Sequence, residues 1–240
     1  MIDSLIPVVY RDLHQAVRSE ALKAQAADPA HDLAHCERVL VNALVICEQE
    51  GGNPAVQIAA AYLHDIANLP KNHPDSRLSS EHSAQHARRL LEGLPIFSRS
   101  LGGKPGEKKE SDLGSVLDSV HDAILCHSYS RGLDPGTLDG RIFQDADRLD
   151  GIGAIGIARV FTVGGALSRP LYEPQDPFAE YGREANDRTN SLDHFFCKLL
   201  KIQNSMKTPT GLRLAQERTE TMRWFLERLQ GEITAPHLRD

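Results

Sequence analysis

The chain has 240 residues, 40% of them hydrophobic and 25% charged, a balance that fits one large soluble globular domain. Acidic residues exceed basic ones, 33 to 27, and the net charge of −6 argues against a general nucleic-acid or anionic-membrane binder. Aromatics make up only 5%, so the core must be built mainly from Ala, Leu, Ile and Val, which suits packed helices better than a β-sandwich; the 11 histidines are the residues to place.

Helical periodicity dominates the chain. Residues 2–26 read as an amphipathic helix with Leu5, Val9, Leu13 and Val17 on one stripe, ending before Pro29. A second helix over 32–50 stops at Gly51-Gly52. Asn53-Pro54 is a helix start, a cap followed by proline at the first helical position, and opens an Ala-rich helix over 55–68 that carries His64-Asp65. Residues 69–78 form a two-proline loop, and Ser79 or Ser80 caps a helix ending at Gly93. The polar, Gly/Lys-rich stretch 95–111 reads as a mobile surface loop. Helices follow over about 112–127, 138–149 and 152–166, then an irregular connection over 167–187 and two helices over about 188–206 and 211–230. No linker divides the chain, so a single all-α domain over 1–240 is expected, with the last helices as an added layer over about 188–230.

Cys36, Cys47, Cys126 and Cys197 form no CxxC pair, which points to reduced thiols and a cytoplasmic location. The first 14 residues place acids within the apolar stretch and offer no basic leader region, unlike a signal peptide. The weakly charged run 151–167 falls short of a usual membrane span.

Four segments look unlike plain core: His35 in AHCERV, His64-Asp65 in AYLHDIANLPKNHP, His127 in CHSYS, and QDADRLD over 144–150. A carboxylate at Asp65, set among apolar neighbours, needs a counter-charge, and a divalent cation supplies one. Adjacent helical residues point about 100° apart, so His64 and Asp65 can share an ion only near a helix end. The order His, His-Asp, Asp on helices, together with the AHDLAHCERV, HSYS, DPFAEY and LDHFFCKLLKI segments, resembles the HD-domain superfamily of metal-dependent phosphohydrolases, in its small stand-alone YedJ/YpgQ-like bacterial branch. The likeness covers nearly the whole chain.

That resemblance implies an HD-type helical bundle with its catalytic core at about 28–166. It implies His35, His64, Asp65 and Asp147 as metal ligands, Asp147 being preferred to Asp145 because its Ala-Asp-Arg-Leu context matches the family's last ligand. Two imidazoles and two carboxylates suit Mn, Mg, Fe, Co or Ni better than structural zinc. The implied reaction is metal-activated water attack on phosphorus in a nucleotide or other small phosphate ester, first of all release of pyrophosphate from nucleoside or deoxynucleoside triphosphates. Candidate helpers are Arg38 and Lys71 as phosphate clamps, His73 as proton donor to the leaving group, Asp65 as orienting base, and His127 and Arg77 as weaker candidates. His82 and His86, spaced i,i+4, read as a solvated face, and the glycine run 151–156 as close helix packing. The runner-up activity is nucleoside monophosphate dephosphorylation or phosphodiester cleavage. A di-iron oxygenase using His127 with His82 or His86, or a non-catalytic nucleotide sensor, are the readings from other classes. Nucleic-acid polymers and membranes are not expected as partners, and monomer and homodimer both remain open.

Overall fold

A computed structural model of the protein describes residues 2–24, 32–67, 75–100 and 110–233. Among these residues every regular element is a helix. The chain divides into two compact units, 1–147 and 148–240.

The first unit opens with short 3-10 turns at Ile2–Ser4 and Val8–Tyr10, and α1 runs only from Arg11 to Ala24. The helix expected from residue 2 is interrupted at Pro7, which lacks the N–H a helix interior requires. Leu13 and Val17 are buried, whereas Leu5 and Val9 are 50% and 60% exposed, so half of the expected stripe lies outside the core. Helix α2 (Leu33–Glu50) starts where the Asp32 carboxylate accepts the His35 backbone N–H. It ends at Gly51, whose φ of 79° is the left-handed conformation that glycine adopts without penalty.

Helix α3 (Pro54–Leu63) begins with the expected cap, the Asn53 side chain accepting the Ala55 N–H. Every residue from Ala55 to Leu63 is buried. A helix apolar on all sides needs neighbours on all sides; α3 packs against α1 and α2 and against the later helices α4 (Ser79–Glu92) and α6 (Glu110–Cys126). It stops at Leu63 rather than reaching Asn68, so His64 and Asp65 sit at the helix end.

Neither Ser79 nor Ser80 caps α4; Leu78 holds that position, and the Ser80 hydroxyl accepts from Arg131 instead. Within the stretch expected as a surface loop, Pro95–Ser100 forms helix α5 and buries Phe97 completely. Residues 101–109 of that stretch lie outside the described residues, and 110–111 already belong to α6. Helix α7 (Leu138–Asp150) follows a turn held by Asp122, whose carboxylate accepts the Gly136 and Thr137 N–H groups and the Thr137 hydroxyl. The N-terminal end of α7 is tied to that of α3: Asp139 accepts the Asn53 N–H at 2.7 Å and the Gln57 amide at 3.1 Å.

The second unit is built on α8 (Gly153–Ala166), α9 (Asp193–Cys197) and α10 (Pro209–Ile233). Phe161, Phe195 and Phe225 meet with ring centroids 5.8–6.2 Å apart. The expected helix over 188–206 is split at Lys198 into α9 and a 3-10 turn, Leu199–Ser205. Gly153 has a φ of +74° with the Arg218 side chain 3.0 Å from where a Cβ would stand, so this glycine serves backbone shape and close packing. The irregular run before α9 is held by Asp193, fully buried, which takes a two-pronged bond from the Arg183 guanidinium at 2.6 and 2.8 Å. Among the described residues no single helix is long and apolar enough to cross a membrane.

Candidate metal centre

Three helix ends of the first unit bring their side chains together. His35 stands in the first turn of α2, His64 and Asp65 follow the last turn of α3, and His127 follows the last residue of α6. Asp147 comes from the last turns of α7. The imidazole Nε2 atoms of His35 and His64 face each other at 3.3 Å. His35 Nε2 is 3.6 Å from Asp147 Oδ1, and His64 Nε2 is 3.3 Å from Asp65 Oδ2. His127 Nε2 lies 3.6 Å from Asp65 Oδ1. The ligand atoms fall into two groups, His35–His64–Asp147 and His64–Asp65–His127, each with all its atoms within 4.8 Å of one another.

Two of the imidazoles are aimed by the same local device. His64 Nδ1–H donates to the Ala61 carbonyl at 3.0 Å, and His127 Nδ1–H donates to the Ile124 carbonyl at 2.6 Å. A carbonyl oxygen can only accept, so in both rings Nδ1 carries the proton and Nε2 is the atom turned toward the carboxylates, a lone-pair donor whenever the ring is neutral. For His64 this bond also engages a carbonyl near the end of α3, where the chain turns away from the helix.

The donor set fits a divalent cation. Two ligands on one ion, at bonds of about 2.0–2.2 Å, lie roughly 3–4 Å apart. The separations of 3.6 Å are too long for direct hydrogen bonds but suit two donors on one ion. Burial would push His64 and His127 down, yet the Asp65 carboxylate outweighs it and both stand above the ordinary histidine value. The pocket thus favours positive charge at the point where the lone pairs converge. Cys36, next to His35, is in neither group of ligand atoms, and burial first, then the charges of Asp65 and Asp32, push its thiol up to about 12.

Of the other candidates, Asp145 is fully buried and belongs to neither group of ligand atoms. Arg38 is half-buried on α2, one turn beyond His35, and Arg77 is exposed. Lys71 and His73 lie outside the described residues. His82 and His86 are exposed on α4 and belong to neither group of ligand atoms among the described residues, so of the histidines in the di-iron reading only His127 joins the cluster. His127, treated as a weaker candidate from sequence, is buried against Asp65 with its ring 5.0 Å from that of His64.

Two supporting residues are not singled out by the sequence reading. Asn42, buried on α2 two turns beyond His35, donates its side-chain N–H to the Ala146 carbonyl at 3.2 Å. The Ser83 hydroxyl accepts the Ala67 N–H at 3.1 Å and holds the chain just after the His-Asp pair. The signal for Asn42 is present in the sequence: a polar residue on the apolar face of α2, in line with His35.

Comparison with known proteins places this geometry in a family. The HD domain model matches residues 32–152, the segment that contains all five residues of the cluster. YpgQ of Bacillus subtilis strain 168 is 33% identical over 208 residues, covering 85% of this chain and 84% of its own. The crystal structure of YpgQ in complex with ADP superposes with a TM-score of 0.64 at 28% identity, covering 97% of this chain and 100% of that one. An HD-superfamily hydrolase from Bacillus thuringiensis superposes with a TM-score of 0.67 at 30% identity, covering 94% and 98%. On the matched segment and the near full-length identity to YpgQ, this chain belongs to the HD domain family.

Proposed function

We propose that this protein is a metal-dependent phosphohydrolase that releases pyrophosphate from nucleoside or deoxynucleoside triphosphates. The observation that carries the reading is the convergence of His35, His64 and Asp147, with Asp65 beside them, on one buried point with nitrogen and oxygen donors only. Family membership supports hydrolysis, and the ADP complex of YpgQ supports a nucleotide as ligand. The B. thuringiensis neighbour, described as a hydrolase, points the same way.

His35, His64, Asp65 and Asp147 would hold the cation, with Mn, Mg, Fe, Co and Ni all suited to such a set. When bound, the cation supplies Lewis-acid polarisation of a phosphoryl oxygen and acidification of water. The chain's own residues do the rest. The Ala61 carbonyl fixes the His64 ring, and Asp32 fixes the first turn of α2 and hence His35. Asp65 orients the attacking water. Arg38 and Lys71 take up phosphate charge, His73 donates the leaving-group proton, and His127 completes the set beside Asp65. Positioning and charge neutralisation of this kind are what phosphoryl transfer chiefly requires.

The test is a product assay. Protein stripped with a chelator should be inactive, and Mn²⁺ should restore pyrophosphate release from deoxynucleoside triphosphates. Asp65→Ala should remain folded by circular dichroism and inactive. Inorganic phosphate from nucleoside monophosphates as the main product would favour the phosphatase reading, and full activity in Asp65→Ala would overturn both.

A further inference from the structure

His14, His194 and the histidines of the metal centre all have polar partners. His14 Nε2 meets the Tyr62 hydroxyl at 2.8 Å, and His194 Nδ1 meets the Asp187 carboxylate at 2.8 Å. His82 and His86 differ: both are exposed on α4, and neither ring forms a hydrogen bond or an ion pair within the chain.

Helix α4 runs without a break from Ser79 to Glu92. Residues four apart on such a helix are turned about 40° from one another, with Cβ atoms about 6 Å apart, so two imidazoles can reach one ion from the same face. Ser80, Ser83, Ala84, Ala87 and Leu91 form the buried face of α4, and His82 and His86 lie across the helix from it. The helix is pinned from the side: the Arg88 guanidinium donates to Asp118 of α6 at 2.7 Å, and the Arg131 guanidinium donates to the Ser80 hydroxyl at 3.0 Å. The backbone beneath the pair is therefore held, and only the two rings need to turn. Among the described residues no third His, Cys, Asp or Glu joins them. Arg89, exposed one turn past His86, opposes a cation on this face.

We infer that His82 and His86 form a surface chelate for a borderline divalent cation such as Zn²⁺, Ni²⁺ or Cu²⁺, with water in the remaining positions. Imidazole donors alone suit these ions, whereas Mg²⁺ and Mn²⁺ prefer carboxylate and water. The pair thus differs in kind from the metal centre, where Asp65 and Asp147 stand among the imidazoles. Its strength comes from linkage: once one ring holds the ion, the second binds at high effective concentration, and the pair exceeds either ring alone by about 100-fold. This chelate needs no phosphate substrate and stands whether or not the chain is a phosphohydrolase.

The experiment is isothermal titration calorimetry of the untagged full chain with Ni²⁺-nitrilotriacetate, a complex whose two open positions match two imidazoles and whose bulk keeps it from the buried rings of His35 and His64. Wild type should bind the complex at a single strong site. His82→Asn, His86→Asn and the double variant, each folded by circular dichroism, should all lose about 100-fold in affinity. The double variant should lose no more than either single one, because one remaining ring cannot chelate. Partial losses in the single variants that add up in the double variant would show two independent imidazoles and overturn the chelate. A wild type that binds no more tightly than the double variant would overturn it as well.

Discussion

The side-chain amide of Asn42 holds the Ala146 carbonyl at 3.2 Å, which joins α2 to α7 one residue before Asp147. His35 lies two turns back along the same face of α2, so this bond ties together the two helices that carry His35 and Asp147, whose side chains stand 3.6 Å apart. Asn42→Ala should weaken Mn²⁺ binding about tenfold, in the range of residues that orient metal ligands, while the helical circular dichroism is retained. Isothermal titration calorimetry measures the affinity, and unchanged binding would show that the two helices keep their register without Asn42.

Removal of a ligand should separate metal binding from folding. Asp147→Asn keeps the shape of the side chain and removes its charge. It should lower Mn²⁺ affinity by at least about tenfold and, with it, hydrolysis. Because Asp147 is 21% exposed and not part of the packed core, its melting temperature without metal should stay close to wild type. A stability loss with unaltered Mn²⁺ affinity would remove Asp147 from the ligand set.

The sequence revealed the boundaries between α2 and α3 better than the depth of burial. Asn53-Pro54 and Gly51 are local signals, and each ends up where its own chemistry requires. The apolar spacing of Leu5, Val9, Leu13 and Val17 predicts one helix across Pro7, yet only the last two of these residues reach the core. The 95–111 stretch averages as polar. Within it the six residues of α5 bury Phe97, a tertiary effect that composition over a long window conceals. The burial of His127 is hidden in the sequence for a related reason. Its flanking Ser128 and Tyr129 suggest a surface, whereas its own ring turns inward to the Ile124 carbonyl and Asp65.

The second unit should respond to acid through Asp193. Burial raises a carboxyl, but here the Arg183 guanidinium, the Asn186 N–H and the Asn190 amide outweigh it and hold Asp193 below the usual carboxylate range. A carboxyl lowered in the folded state binds its proton more readily when unfolded. The resulting stability is complete above the unfolded value, about 3.9, and is lost as pH falls through the lower folded value. Arg183→Leu leaves a buried carboxylate without its partner and should cost about 3–5 kcal/mol. Urea unfolding at pH 7 and pH 3 checks both: the deficit of the variant should be large at pH 7 and smaller at pH 3.

Thiol reactivity should follow burial. Burial pushes Cys36 and Cys47 up to about 12 and Cys126 to about 11, and nearby aspartates add to each. Cys197, on α9, is only half-buried. A disulfide reagent at pH 8 should therefore modify Cys197 first in the native protein and all four after unfolding. Cys197→Ser should remove the fast phase, and rapid modification of Cys36 would contradict the closed setting of the ligand helix.

The rings of His64 and His127 are each oriented by a carbonyl three residues earlier in the chain. Such a bond needs only its own turn of backbone, so neither ring waits for an ion to find its direction. An incoming cation would therefore meet donors already in place, with little ordering entropy left to lose. The speed of loading would then be governed by how fast each ion sheds its water, with Mg²⁺, which dehydrates reluctantly, the slow case.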